Sequence, residues 1–184
     1  MQNTALSEID GFKVAVYSTG DTLGKSALAK KDALEQGALQ AVGSIRAKIY
    51  ALQASLADCP EVEAPLTHVF APGVYMRTIF IKAGCVVVGK IHKHTHGNIL
   101  SQGRVTVVTE SGGEEHLQAP LTMVSCAGTK RALVAHTDVV WTTIHVTNAT
   151  NLDELEKELI AENYADYEQF LLESNLMKKS EVQS

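Results

Sequence analysis

Five β-branched segments follow one another through the middle of the chain: VYMRTIFI (74–81), GCVVVGKIH (84–92), RVTVVTE (104–110), EEHLQAP (114–120) and VVWTTIHVT (139–147). Gly, Pro, Asn or Asp separates them at close intervals. Segments of this length and punctuation predict an antiparallel sandwich or barrel. The TESGGEE stretch, centred on Gly112 and Gly113, reads as a hairpin turn.

The flanks have a different period. Leu39, Val42, Ile45, Ile49, Leu52 and Leu56 recur at helical steps, which predicts a helix from near Lys25 to just before Pro60. Its apolar stripe can pack on its own domain or pair subunits in a heptad-like seam. After the strands, NLDELEKELIAENYADYEQFLL places Leu152, Leu155, Leu159 and Ile160 on one side, with Asn151 or Asp153 available as a cap. The polar MKKSEVQS tail is expected to fray. The chain thus divides into a helical N-terminal extension (1–60), a β-barrel (65–148) and a C-terminal helix with its tail (149–184). The two apolar helical faces together exceed what one small barrel can cover, so a homo-oligomer formed through the terminal helices is expected.

Charge and composition exclude several classes. With 16 Lys and Arg against 21 Asp and Glu, the 184-residue chain carries a formal charge of −5 and has no global field to attract nucleic acid. No apolar run approaches the roughly 20 residues of a membrane span, and MQNTALSEIDGFK lacks the apolar core of a signal peptide, so an intracellular protein is expected. Cys59, Cys85 and Cys126 are odd in number and lack C-x-x-C spacing, which points to buried thiols rather than disulfides or a thiolate zinc site. One phosphate-loop look-alike, GDTLGKS, fails on spacing. Only three residues separate Gly20 from Gly24-Lys25-Ser26 where four are needed, so no nucleotide site is expected there.

Candidate chemistry concentrates in GCVVVGKIHKHTHGNILSQG (84–103). On one straight strand Lys90, His92, His94 and His96 would share a face, but His92 and His96 would be roughly 13 Å apart. Two such imidazoles cannot share an ion through bonds of about 2 Å. A turn near His96-Gly97-Asn98 is therefore required for them to converge.

The spacing of this stretch resembles the first motif of the cupin superfamily, a family of small β-barrels. Gly84, Lys90-x-His92, His96 and Gly103 keep every gap of that motif, while Lys90 replaces its first histidine and His96 its glutamate. The second motif falls on Pro120, Cys126-x-Gly128, Arg131 and Ala135, where only Gly128 matches and Arg131 stands in the place of the last ligand. The resemblance covers roughly 67–147 and implies a cupin-like double-stranded β-helix barrel with helical extensions. More narrowly, LTHVFAPGVYMRTIFIKAG, GKIHKHTHGNILSQGRVTVVTESG and AGTKRALVAHTDVVWTTIHVT are similar to small cupin-like proteins of tailed phages and prophages, a group without a settled activity. That similarity implies a host-cell cytoplasmic or virion setting and phage structural proteins as partners.

In the cupin register, Lys90, His92, His96 and Arg131 line a barrel mouth in which two ligands have become cations, a pocket suited to carboxylate or phosphate. A divalent metal remains open through His92, His94 or His96 with His136, and Asp138 as the group orienting an imidazole. A pocket filled by its own side chains is the third alternative. His68, His116 and His145 read as ordinary strand residues, and Trp141 as core or interface. Two functions follow: a non-catalytic binding or assembly module that takes a small anion and needs no cofactor, or a metal-dependent oxygenase, isomerase or lyase acting on a small acid.

Overall fold

A computed structural model describes residues 13–16, 44–59 and 62–182. The GDTLGKS loop, Leu39, Val42 and the proposed helix start near Lys25 lie outside the described residues. Among the described residues, twelve strands and three helices appear in the order β1 (Lys13–Val16), α1 (Ile45–Leu56), β2 (Leu66–Ala71), β3 (Val74–Ile81), β4 (Cys85–Val88), β5 (Ile91–His92), β6 (His96–Gln102), β7 (Arg104–Thr109), β8 (Gly113–Gln118), β9 (Leu121–Ser125), β10 (Arg131–Ala135), β11 (Val139–Val146), α2 (Leu152–Leu159), β12 (Ile160–Ala161) and α3 (Tyr164–Val182). Two five-stranded antiparallel sheets, ordered β1-β4-β10-β7-β8 and β2-β3-β11-β6-β9, face each other, and a two-stranded sheet of β12 and β5 sits at one end. This is the double-stranded β-helix barrel, with helices on both flanks.

Alternation places the site. On the second sheet, register sets side chains in transverse rows that face the barrel interior. The deepest row is Leu66, Ile79, Trp141, Leu100 and Leu121. The next is His68, Arg77, Thr143, Asn98 and Met123. Nearest the mouth stand Phe70, Tyr75 and His145, then His96 paired with Ser125. The apolar row joins Val87, Val105, Val107 and Leu133 of the opposite sheet in one core. Polarity therefore rises toward the mouth, one rung at a time.

The helices pack inward. α1 presses Ile49 and Leu56 onto Val86, Val88 and Ala132 of the first sheet, so this part of the stripe is spent within the chain. Tyr164 packs edge-on against Tyr50 of the helix, and the Arg46 guanidinium stands 3.6 Å from the Tyr164 ring centre. The C-terminal helix differs from expectation. Asn151 caps α2 by accepting from Glu154 N at 3.0 Å, but Ile160 leaves the helix in extended backbone and pairs with β5. α3 then continues through Val182, so the helical backbone runs on into the stretch expected to fray. α2 buries Leu155 and Leu159 against Tyr75, which covers the apolar side that was expected to pair subunits.

One other expectation changes. Cys85 is buried, but Cys126 lies just past β9 on the outward side and is exposed. Among the described residues, no helix is long and apolar enough to cross a membrane. Gly103 does need to be glycine: at φ 95° a Cβ would meet Asp138 O at 2.4 Å.

Candidate metal centre

Between β5 and β6 the chain bends at Lys93-His94, earlier than the expected turn at His96-Gly97-Asn98. The bend brings the His92 and His96 ring centres to 4.3 Å. His145, from β11, completes the group, with its ring centre 4.6 Å from that of His96 and 5.0 Å from that of His92. One ring nitrogen from each residue lies within 4.8 Å of the others, and all three side chains are buried. A first-row metal with bonds of about 2.0–2.1 Å joins nitrogens roughly 3–3.4 Å apart, which small rotamer changes supply.

The donor set fits a metal ion. His96 Nδ1 lies 3.1 Å from the His94 carbonyl and donates to it, which leaves Nε2 with its lone pair. Nδ1 of His92 and Nδ1 of His145 are buried without a hydrogen-bond partner among the described residues. Burial strips water from any imidazolium formed here, and the neighbouring cationic groups oppose it further. His96 is held at about pKa 4 and His145 at about 3, and His92 lies well below its ordinary value. All three are neutral at pH 7, which is the ligating form.

The remaining candidates go elsewhere. His94 is exposed and packs edge-on against Phe170 of α3, ring centres 5.3 Å apart. His136 is exposed on the outer side of the first sheet, its Nε2 2.6 Å from Thr106 Oγ1, and Asp138 pairs with Lys82 at 2.8 Å rather than with an imidazole. Each sits on the outward phase of strand or loop, so neither imidazole joins the cluster. Lys90 reaches the mouth, but its ammonium is bonded to Glu156 of α2 and lies 3.6 Å from Glu162. Its charge is thus matched by carboxylates and is not free for a ligand. His145, read from sequence as an ordinary strand residue, is the third imidazole. The signal that could have found it is its inward phase on β11, shared with Trp141 and Thr143.

Arg131 does face the interior, from β10. Its guanidinium donates to Ser125 Oγ and stands 5.5 Å from the centre of the Trp141 ring. Asn98 Nδ2 donates to the same hydroxyl at 2.8 Å, and Trp141 Nε1 donates to Asn98 Oδ1 at 3.0 Å. Burial lowers the Arg131 pKa to about 10, so it stays charged at neutral pH. Two cavities, each of about 40 Å³, flank the histidines. The inner one runs down the barrel between Arg131 and Leu133, and the outer one lies under α2 between Tyr75 and Leu155.

No protein-family model matches the chain, and no curated protein matches it. Solved structures do. An acetylacetone dioxygenase from Acinetobacter johnsonii is 14% identical at a TM-score of 0.39; the match covers 45% of this chain and 59% of that one, under two thirds of its length. Ectoine synthase from P. lautus is 13% identical at a TM-score of 0.44, covering 55% of this chain and 75% of that one. An RmlC-like cupin family protein with a double-stranded β-helix fold, from Methanocaldococcus jannaschii, is 10% identical at a TM-score of 0.39, covering 51% and 86%. These are likenesses of backbone. The strand order and the transverse rows of side chains give this chain a barrel of two facing five-stranded antiparallel sheets.

Proposed function

We propose that this protein is a metal-dependent enzyme of the oxygenase, isomerase or lyase kind, acting on a small acid held inside the barrel. The observation that carries the reading is the convergence of His92, His96 and His145, three buried neutral imidazoles of which two keep an unpartnered Nδ1. Unsatisfied buried polar atoms cost roughly 1–3 kcal/mol each, so a chain that keeps two of them side by side is matched to something that binds them. His92, His96 and His145 would hold a divalent transition metal, which supplies Lewis acidity toward an oxygen of the substrate.

The rest of the site orients and shields. Arg131, charged and fixed by Ser125, attracts the acid group, and Asn98 is held against Trp141 so that its amide cannot turn. α2 closes the mouth through Leu155 and Leu159 and keeps water from the histidines. The Tyr75 hydroxyl lies 2.7 Å from His68 Nδ1 and its ring stacks on His145, so Tyr75 is fixed at the rim. The absence of an acidic ligand leaves a loaded site strongly positive, which an anionic substrate offsets.

Metal analysis of protein purified without an affinity tag tests this reading. About one equivalent of a transition metal is expected, lost in His145→Ala and in His96→Ala but retained in His94→Ala and His136→Ala. A wild-type protein that takes up no metal, or that loses it equally in all four variants, would overturn the proposal. A second reading is the non-catalytic binding or assembly module, with the phage role that the family resemblance implies. The closure of α2 over small cavities favours it, since a module that holds an anion permanently needs no open mouth. Turnover of no small acid by the metal-loaded protein would support it.

A further inference from the structure

The inner cavity has a polar end and an apolar end. Arg131, Arg77, Lys90, His92, His96, Asn98 and Thr143 form the polar end, while Ile79, Ile81, Val87 and Leu133 wall the deep end. All four apolar residues belong to the barrel core and are at most 7% exposed. Arg131 has five N–H donors in a planar fork. Ser125 Oγ takes one of them, and among the described residues no carboxylate lies within ion-pair distance of Arg131. A guanidinium with open donors at the neck of a cavity floored by branched aliphatic side chains defines what complements it. The occupant needs a planar anion at one end and hydrocarbon at the other.

We infer that the inner cavity is a subsite for a short-chain aliphatic monocarboxylate, its carboxylate on the Arg131 fork and its alkyl tail among Ile79, Ile81, Val87 and Leu133. This rests on the proposed function for the reacting centre and adds the substrate class. At about 40 Å³ the cavity is small, which suits acids of a few carbons. The same walls exclude close analogues. A second carboxylate at the tail end, as in succinate, would be stranded against Ile81 and Val87, since Arg77 and Lys90 lie with Arg131 at the polar end, and burying an unpaired charge is strongly unfavourable. A neutral amide forfeits the charge-assisted bidentate contact to Arg131. Phosphate has no tail to fill the deep end.

Trp141 is the only tryptophan of the chain, and its indole N–H is bonded to Asn98 in the cavity wall. Its fluorescence is therefore a site-specific reporter. Titrations with acetate, propionate, butyrate, succinate and propionamide would be run at pH 7 on tag-free protein, both metal-stripped and metal-loaded. Propionate is expected to give a saturable change with a dissociation constant roughly in the millimolar range, given so few atoms. Succinate and propionamide are expected to bind at least tenfold more weakly. Arg131→Met should weaken propionate at least tenfold. Leu133→Phe, which fills the deep end while leaving the charge in place, should do the same, so a misfolded Arg131 variant does not leave the question open.

No saturable propionate response in either form of the wild type would overturn the inference, as would unchanged binding in both variants. Succinate binding as tightly as propionate would overturn the monocarboxylate class. If metal analysis finds no metal but Arg131-dependent propionate binding persists, the subsite stands and the enzyme reading falls. If metal binds through His145 and propionate does not bind, the reverse holds.

Discussion

His145 shows how strongly one side chain can depend on its surroundings. Its imidazole lies between the rings of Tyr75, His92 and His96, and burial first, then the charge of neighbouring His96 and Arg77, pushes its pKa to about 3. His96 is held at about 4, chiefly by burial. An unfolded histidine takes up its proton near pH 6.5, so between that pH and the folded values the unfolded chain binds protons that the folded chain refuses. Stability is therefore complete above about pH 6.5 and lost as pH falls toward 4 and 3, by up to about 1.4 kcal/mol per pH unit for each histidine involved. The urea midpoint of metal-free protein is expected to be level from pH 8 to 7 and to fall steadily from pH 6.5 to 4.5. A level midpoint across the whole range would mean that the histidines do not stay neutral in the fold.

At the scale of elements, α2 and β12 act together as a cover. Ile160 pairs with His92, Lys93 N donates to Leu159 O at 2.7 Å, and Lys93 Nζ donates to the Lys157 carbonyl at 2.7 Å. The strand that carries one candidate ligand is thus hydrogen-bonded to the segment that closes the mouth, and Lys90 to Glu156 ties the same two pieces. Two paired residues and one part-exposed ion pair form a weak attachment, while Leu155 and Leu159 supply most of the hold by burial. Glu156→Gln is expected to speed amide exchange at Lys93, which donates to Leu159 O, and at Ala161, paired with Ile91, about tenfold while lowering the melting temperature by no more than about 2 °C. Exchange at these amides that is no faster than in wild type would show that the ion pair does not restrain the cover.

For the whole molecule, the question is which apolar surfaces remain for a partner. Ile49 is 3% exposed and Leu56 4%, both packed on the chain's own first sheet, so α1 offers little of the expected seam over its described length. Ile49→Asp is expected to destabilise the monomer fold by about 3 kcal/mol rather than merely dissociate an oligomer. A joint measurement of thermal unfolding and light scattering separates the two outcomes. If the variant melts like wild type but halves in mass, the seam reading is correct. Leu171, Leu172 and Leu176 on α3 and Val69 and Phe70 on the edge strand β2 stay exposed, and a homo-oligomer, which we propose, would use these surfaces.

The barrel was legible in the chain because its signals are local. Alternation, β-branching and turn glycines act within a few residues, and Gly84 and Gly103 are required by their own backbone, with φ of 82° and 95°. His92 and His96 were legible for the same reason, being four residues apart on either side of a bend. His145 was not, because its place beside them depends on β11 lying between β3 and β6, a pairing of segments that no local pattern specifies. The loss of Lys90 to Glu156 and the helix break at Ile160 are likewise decided by what β5 finds to pair with. Sequence by itself determined the β-branched segments of the barrel and the bend that joins His92 to His96, while the place of Arg131 followed from the family resemblance. Tertiary structure alone decided which three imidazoles meet, since strand order and register sum over the whole chain and side-chain chemistry reports only its own position.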